Sequence, residues 1–211
     1  MRYHNKAELI RDHGRNGSLA DTDLSFLDLS GMDLSHENLS GTVFSGAILH
    51  ETLLDGSNLH AAFVQDADFS GARFIGTRLD GAFFQRVLLQ RCQFIEADLR
   101  HVHVMLCPMQ GSQWLRSDMT EAQLQGSDLS EALFQDVVLH GAILREAVLT
   151  ATRFERCDLR QTDLRKANLH DASYHQVMTE GALFYGKPPR DVAAQTEAHD
   201  WQARLVTFDG E

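Results

Sequence analysis

Three side chains able to bind a metal ion lie close together in the sequence, at His101, His103 and Cys107. Imidazole and thiolate are ligands that Zn²⁺ prefers, and a structural site needs four of them converging on one point. The remaining cysteines, Cys92 and Cys157, are far away in the sequence, and the spacings match no zinc or redox motif. Whether the cluster is a site therefore depends on where the local backbone points each side chain.

Aspartates are the second group of residues with chemical potential, and Asp68, Asp98, Asp128 and Asp158 lie at separations that are multiples of five. Paired carboxylates serve as general acid and base only in a sheltered cleft that perturbs their pKa values. The regular spacing instead makes these residues members of a repeat. The sequence contains no Ser/His/Asp triad, phosphate-binding glycine loop or metal motif, so we predict a protein that is not an enzyme, with no cofactor and no metal.

The repeat is visible in the segment ADFSGARFIGTRLDGAFF, residues 67–84, and its period is five. A large apolar residue, here called the central position, recurs from Leu24 to Tyr174 without a phase slip, lapses at Thr179 and returns at Phe184. Two residues earlier is the small position, usually Ala, Ser, Thr, Val or Cys, and between them is the flanking position, often Asp or Asn. The corner position, two residues after the central one, is frequently Gly.

A period of five excludes a regular helix, where five steps rotate a side chain by about 140°, and also a flat strand, where they reverse its face. The pattern instead predicts a coil of straight sides, one pentad to a side, with central and small positions facing one axis. Coils then stack about 4.8 Å apart through parallel hydrogen bonds, and Gly relieves crowding at the corners. In this phase His101 and His103 point outward and Cys107 inward, so we expect no convergence. The spacing alone leaves the number of sides open.

Pentads such as SDLSE at 127–131, ALFQD at 132–136 and ANLHD at 167–171 resemble those of the pentapeptide-repeat proteins. The resemblance implies an all-β fold, a right-handed quadrilateral parallel β-helix with four pentads to a coil and short helical caps at the ends. It covers residues 22–186, and eight coils would give a rod of roughly 40 Å.

The two ends are predicted to be separate elements. Residues 1–21 form an N-terminal cap, with a short helix over 5–13. Residues 187–211 begin within a Gly-Lys-Pro-Pro break at 186–189 and read as helical over 191–206. The apolar side chains of this tail either cap the last coil or form a homodimer with a second chain, as in some family members; they are Trp201, Leu205, Val206 and Phe208.

The chain has 211 residues and a formal net charge of −11. This charge disfavours direct binding of nucleic acid or anionic membranes; it either maintains solubility or attracts basic protein surfaces. No apolar run is long enough for a membrane span, and the first residues lack a secretory signal. We therefore expect a cytoplasmic protein with reduced thiols, with specialised secretion left open.

With four pentads to a coil, each pentad can be assigned to a face. The first face, with Leu24 and Phe44, carries a net charge of 0, the second, with Leu29 and Leu49, −5, the third −1 and the fourth −4. The acids of the second face are the candidate partner-binding residues, opposed by Arg91; they are Asp28, Glu51, Asp68, Asp128, Glu131 and Asp171. The segment 102–112, with Pro108 at a flanking position, is either a tolerated irregular coil or a partner contact.

Some pentapeptide-repeat proteins bind DNA gyrase or topoisomerase IV in place of DNA and protect it from quinolones or toxins. The resemblance and the acidic rod together favour this function, DNA mimicry with a link to antibiotic resistance. The alternative is a generic protein-interaction scaffold or secreted effector with an unrelated partner.

Overall fold

The computed structural model describes residues 8–9 and 18–184. It contains eleven short parallel strands, and nearly all of the remaining described backbone consists of turns and isolated bridges. The strands are β1 (Phe63–Gln65), β2 (Arg73–Ile75), β3 (Phe83–Gln85), β4 (Gln93–Ile95), β5 (His103–Met105), β6 (Gln113–Leu115), β7 (Leu133–Gln135), β8 (Arg153–Glu155), β9 (Asp163–Leu164), β10 (Ser173–His175) and β11 (Leu183–Phe184).

Every backbone pairing joins residues 20 apart, as in Asp28↔Ile48 and Phe63↔Phe83. Twenty residues are four pentads, so the coil has four sides and the predicted quadrilateral parallel β-helix is confirmed. The flanking positions of the first face form one continuous ladder, which runs Asp23, Val43, Phe63, Phe83, His103, Gln123, Ile143, Asp163 and Leu183.

One pentad, residues 127–131, shows why this geometry suits the backbone. Its five N–H groups donate in turn to the Leu124 carbonyl (3.3 Å), the Cys107 carbonyl (3.1 Å), the Val148 carbonyl (2.8 Å), the Asp128 side chain (3.0 Å) and the Thr150 carbonyl (2.9 Å). The coils below and above satisfy three of them, and the corner turn satisfies one. The remaining N–H, that of Ser130 directly after the central position, points outward and donates to the Asp128 side chain. This bond explains why Asp and Asn recur at the flanking position.

All corner positions adopt the left-handed conformation, with φ between 51° and 75° from Asp21 to Gly181. The sequence pattern predicts glycine there, yet twenty-two non-glycine residues share the conformation with eleven glycines. A left-handed residue with a β carbon costs roughly 1–2 kcal/mol. The stacked coils therefore impose the turn, and glycine only lowers its cost.

This cost can be measured at two corners. A β carbon added at Gly76 would meet no atom within 4 Å, so Gly76→Ala changes backbone strain alone. We expect it to lower the free energy of unfolding by about 1 kcal/mol, and the reverse change, Ala151→Gly, to raise it by about 0.5 kcal/mol. Chemical denaturation followed by circular dichroism measures both. Equal midpoints for the two variants would contradict the assignment of strain to the corners.

The core is a single column that fills the coil. Every central residue from Leu24 to Leu164 is at most 3% exposed, so the predicted axis is confirmed. On the third face these side chains form a continuous aromatic stack with ring centroids 4.0–5.7 Å apart. Its members are Phe74, Phe94, Trp114, Phe134, Phe154 and Tyr174.

The small positions also face inward, and their polar side chains bond to the backbone. Thr52 Oγ1 donates to the Leu29 carbonyl at 3.1 Å, and Ser117 Oγ donates to the Phe94 carbonyl at 3.1 Å. Because the acceptor belongs to the coil below, these buried hydroxyls are satisfied and also tie neighbouring coils together.

Most residues of the two predicted helical caps lie outside the described part of the chain. Glu8 and Leu9 are helical, and Leu9 is 1% exposed within the core cluster. The described residues otherwise form no helix, so the structure lends the caps no support beyond this pair. The cap and tail boundaries at 21 and 187 remain predictions. Leu19 lies five residues before Leu24, the first predicted central residue, and it is already buried as a central residue would be.

Candidate functional site

The interior offers no site for a small molecule in the described part of the rod. A void about the size of one water molecule lies there, lined by apolar side chains such as Leu79, Phe84 and Trp114. The three cysteines are buried, and burial raises the pKa of Cys92 to about 12 and the pKa values of Cys107 and Cys157 to about 11. Thiols with such pKa values stay protonated and are poor nucleophiles at neutral pH.

The histidine–cysteine cluster does not converge. The side chain of His101 is 62% exposed and lies 3.3 Å from Glu121, while Cys107 is 1% exposed. Among residues 8–9 and 18–184 no group of three or more His, Cys, Asp or Glu side chains is placed to hold a metal ion. The same residues include no helix long and apolar enough to cross a bilayer.

The aspartates at flanking positions perform a structural task. Asp68 Oδ1 accepts the Ser70 N–H at 2.8 Å, and Asp128 Oδ1 accepts both the Ser130 N–H at 3.0 Å and the Ser130 hydroxyl at 2.5 Å. Asn58 accepts the His60 N–H in the same way at 3.0 Å. The amide performs this task as the carboxylate does, so the negative charge at a flanking position is not required by the fold.

Arginines neutralise many of the carboxylates on the first, third and fourth faces. Ion pairs form within a pentad, as in Arg100–Asp98 (2.6 Å) and Arg160–Asp158 (2.7 Å). They also link corners of successive coils; these pairs are Asp66–Arg86, Glu96–Arg116, Asp136–Arg156 and Glu146–Lys166. Hydrogen bonding from the guanidinium holds the pKa of Asp98 and that of Asp158 below the usual value.

The predicted acids of the second face lie on two parallel ladders. Asp28, Asp68 and Asp128 occupy flanking positions along one, and the corner beside them carries Glu51, Glu131 and Asp171. Glu51 and Asp171 have histidine neighbours, His50 at 3.5 Å and His170 at 3.3 Å. Within the described chain, Asp68, Asp128 and Glu131 form no ion pair with Arg or Lys. The structure therefore brings the six candidates to one side of the rod and leaves that side acidic.

Exposed apolar side chains are the feature that charge counting missed. Leu88, on the second face, is 39% exposed, and Leu106, at the corner between the first and second faces, is 56% exposed. Phe63 on the first face is 38% exposed. Their signal in the sequence is an apolar residue at a flanking or corner position, where polar residues prevail. The segment 102–112 contributes the exposed Leu106 and the half-buried Pro108, but it keeps its register: the Leu89 N–H donates to the Pro108 carbonyl at 2.8 Å.

The candidate tail residues Trp201, Leu205, Val206 and Phe208 lie outside the described residues. Their assignment to a cap or a dimer contact stays a prediction.

The described chain is thus a parallel β-solenoid whose exposed wall is the place available for binding. A model of pentapeptide repeats matches it in eight copies, over residues 19–60, 67–103, 109–136, 117–150 and 142–173. The chain belongs to the pentapeptide-repeat family.

Solved structures with a similar fold include QnrB1, a plasmid-mediated fluoroquinolone resistance protein. It is 17% identical with a TM-score of 0.62, and the match covers 80% of this chain and 84% of that one. HetL from the cyanobacterium Nostoc, a protein involved in heterocyst differentiation regulation, is 24% identical over 86% of this chain and 98% of its own, with a TM-score of 0.29. No curated protein matches the sequence. The likeness to QnrB1 concerns the fold.

Proposed function

We propose that this protein is a non-enzymatic protein-binding solenoid that occupies the DNA-binding groove of a type II topoisomerase, DNA gyrase or topoisomerase IV, and protects it from quinolones or toxins. The observation that carries the proposal is the second face, where Asp68, Asp128 and Glu131 form no ion pair with Arg or Lys in the described chain, while many acids on the other faces pair with arginine. A basic groove would supply the missing cations.

Charge density supports a partial likeness to DNA. The four faces carry net charges of 0, −5, −1 and −4, which is one net charge per roughly 4 Å of a rod of about 40 Å. A DNA duplex carries one charge per about 1.7 Å. The rod is thus negatively charged, as a duplex is, but its charge per unit length is less than half that of a duplex. This charge is concentrated on two faces.

The fold of QnrB1 supports testing this partner first, because QnrB1 is a plasmid-mediated fluoroquinolone resistance protein. We place the activity in the cytoplasm, in keeping with three free, buried cysteines. Pairing of two chains through the C-terminal end remains part of the proposal.

The test is a gyrase supercoiling assay with and without ciprofloxacin, using a variant that removes charge and preserves the turns. Asp68→Asn and Asp128→Asn keep an acceptor for the Ser70 and Ser130 N–H groups, as Asn58 does for His60. Combined with Glu131→Gln, they should raise the protein concentration that gives a half-maximal effect by about tenfold, equivalent to about 1.4 kcal/mol.

The matched control is Asp98→Asn with Asp158→Asn and Asp163→Asn, which changes the net charge equally at carboxylates already paired with arginine. It should retain most of the effect. Equal losses in both triple variants would assign the effect to total charge and not to the second face. If the unmodified protein neither inhibits nor protects at micromolar concentration, the topoisomerase proposal fails.

A second candidate function is a scaffold for an unrelated protein, and the exposed apolar side chains Leu88 and Leu106 favour it. DNA mimicry relies on a rod shape and negative charge, whereas apolar groups beside carboxylates fit a protein partner with mixed chemistry. The two functions differ in whether topoisomerase responds at all.

A further inference from the structure

An apolar patch interrupts the acidic second face midway along the rod. It consists of Leu88 and Pro108 at flanking positions and Leu106 at the adjoining corner, and Leu106 is the most exposed of the three at 56%. Burying exposed leucines stabilises a complex roughly in proportion to the apolar area removed from water. A patch of this kind on a rigid wall is a candidate contact.

Carboxylates bracket the patch at both ends. Asp68 pairs with Leu88, and Pro108 pairs with Asp128, while the Leu89 N–H bonds to the Pro108 carbonyl at 2.8 Å. The ladder therefore runs Asp68, Leu88, Pro108, Asp128 over four successive coils. At about 4.8 Å for each coil, the two carboxylates lie roughly 14 Å apart.

The surroundings hold these groups in place. Asp68 is fixed by the Ser70 N–H, and Asp128 is fixed by Ser130 and by Gln110 Nε2 at 2.5 Å. Leu106 leans over the next corner, where a β carbon added to Gly126 would lie 3.1 Å from its Cδ2 atom. A preorganised surface loses little side-chain freedom on binding.

Nearby cations leave the negative charges of Asp68 and Asp128 largely unneutralised. Arg86, directly below Leu106 on the corner ladder, turns away to form a two-point contact with Asp66 at 2.7 and 2.9 Å. Arg91 lies at the far corner of the same face and is its single cation in the described chain.

We infer that this patch binds an amphipathic helix of a partner protein, laid along the rod with a cationic side chain at each end of a short apolar stripe. The inference rests on the proposed protein-binding role and not on the identity of the partner as a topoisomerase.

Helix geometry fits the ladder. With a rise of about 1.5 Å per residue, positions i, i+3, i+7 and i+10 lie on one face at about 0, 4.5, 10.5 and 15 Å. The four ladder residues lie at about 0, 4.8, 9.6 and 14.4 Å. Arginine at i and i+10 would meet Asp68 and Asp128, and leucine at i+3 and i+7 would pack on Leu88 and Pro108 and on the adjoining Leu106.

The fourth face supplies a natural control. Val138, 37% exposed, lies on a ladder between Asp118 and Asp158. Asp158 forms an ion pair with Arg160 at 2.7 Å. One of the two carboxylates beside Val138 is therefore already neutralised. An amphipathic helix with a cation at each end of its apolar stripe should therefore bind only weakly at Val138.

The probe is a synthetic fluorescent helical peptide of about 18 residues, long enough to hold a helix, with Arg, Leu, Leu and Arg at the four positions. Fluorescence anisotropy measures its binding to the full chain. A second peptide of equal composition has both arginines on the opposite side of the helix and should bind at least tenfold more weakly.

Variants of the protein locate the contact. We expect Leu106→Ser to weaken binding about tenfold, and Asp68→Asn or Asp128→Asn to weaken it about threefold, the size of an exposed ion pair. Arg91→Gln should strengthen binding two- to threefold by removing a like charge, an effect of the same order. Val138→Ser should leave it unchanged, and circular dichroism confirms that each variant is folded.

The outcomes separate this inference from the proposed function. Equal binding of both peptides, or equal losses for Leu106→Ser and Val138→Ser, overturns the inference. Peptide binding without any topoisomerase effect supports the inference and rejects the topoisomerase. A topoisomerase effect of the unmodified protein, together with no binding of either peptide by that protein, supports the function and overturns the inference.

Discussion

Replacing Trp114 by alanine will lower the free energy of unfolding by about 4 kcal/mol, the range observed when a large buried aromatic is truncated. Trp114 is 1% exposed and lies in the middle of the aromatic stack, with ring centroids 4.0 Å from Phe94 and 5.7 Å from Phe134. Its Nε1 atom donates to Ser112 Oγ at 2.8 Å. Truncation removes two ring contacts and leaves a cavity that the stiff coils above and below have little freedom to fill.

The measurement is guanidinium denaturation followed by far-ultraviolet circular dichroism, since the substitution removes a fluorophore. Trp114→Phe should cost less than half as much, because a ring then remains in the stack. Ile48→Ala, at a flanking position that is 44% exposed, is the control and should cost less than about 1 kcal/mol. A Trp114→Ala midpoint equal to that of the control would show that the stack does not stabilise the solenoid.

Raising the pH from 8 to 10 will lower the free energy of unfolding by about 4 kcal/mol through the three buried thiols. Burial raises the pKa of Cys92 from 9.0 to about 12, and the pKa values of Cys107 and Cys157 from 9.0 to about 11. Above pH 9 the unfolded chain releases these protons while the folded chain retains them. Unfolding is therefore favoured as pH rises, by about 1.4 kcal/mol for each thiol and pH unit, until the folded thiols also ionise.

A triple variant with serine at Cys92, Cys107 and Cys157 isolates this effect. Serine is native at equivalent small positions, where Ser127 Oγ donates to the Val104 carbonyl at 3.1 Å just as Cys92 Sγ donates to the Phe69 carbonyl at 3.0 Å. The variant should unfold at nearly the same denaturant concentration at pH 8 and pH 10. If it loses as much stability at pH 10 as the unmodified protein, groups other than the thiols cause the alkaline transition.

The aspartates of the second face have two roles: they accept backbone hydrogen bonds, and they give the surface its negative charge. The sequence alone does not separate these roles. The repeat explains their position, since a flanking Asp or Asn accepts an outward N–H, and Asn58 shows that an amide suffices for this. The negative charge of Asp68 and Asp128 is therefore not required for folding. Because Asn keeps the hydrogen bond and removes only the charge, the Asp→Asn variants test binding alone.

The sequence by itself determined the architecture, because the inward-facing pattern repeats within five residues and persists from Leu24 to Tyr174. It identified the central and small positions, the outward histidines, the inward Cys107 and the six acids of the second face. Each of these depends only on phase within the repeat. The four-sided coil came from the family resemblance, since the period alone does not fix the number of sides.

Only the tertiary structure decided which surface groups compensate each other, because neighbours on the wall are 20 residues apart in the sequence. Arg86 neutralises Asp66 one coil below, and the ladder places Leu88 and Pro108 between Asp68 and Asp128. Corners without glycine adopt the left-handed turn because the stacked coils hold them there. The sequence was enough to give the sign of the net charge on each face. The register between coils was needed to place the charged and apolar groups relative to one another.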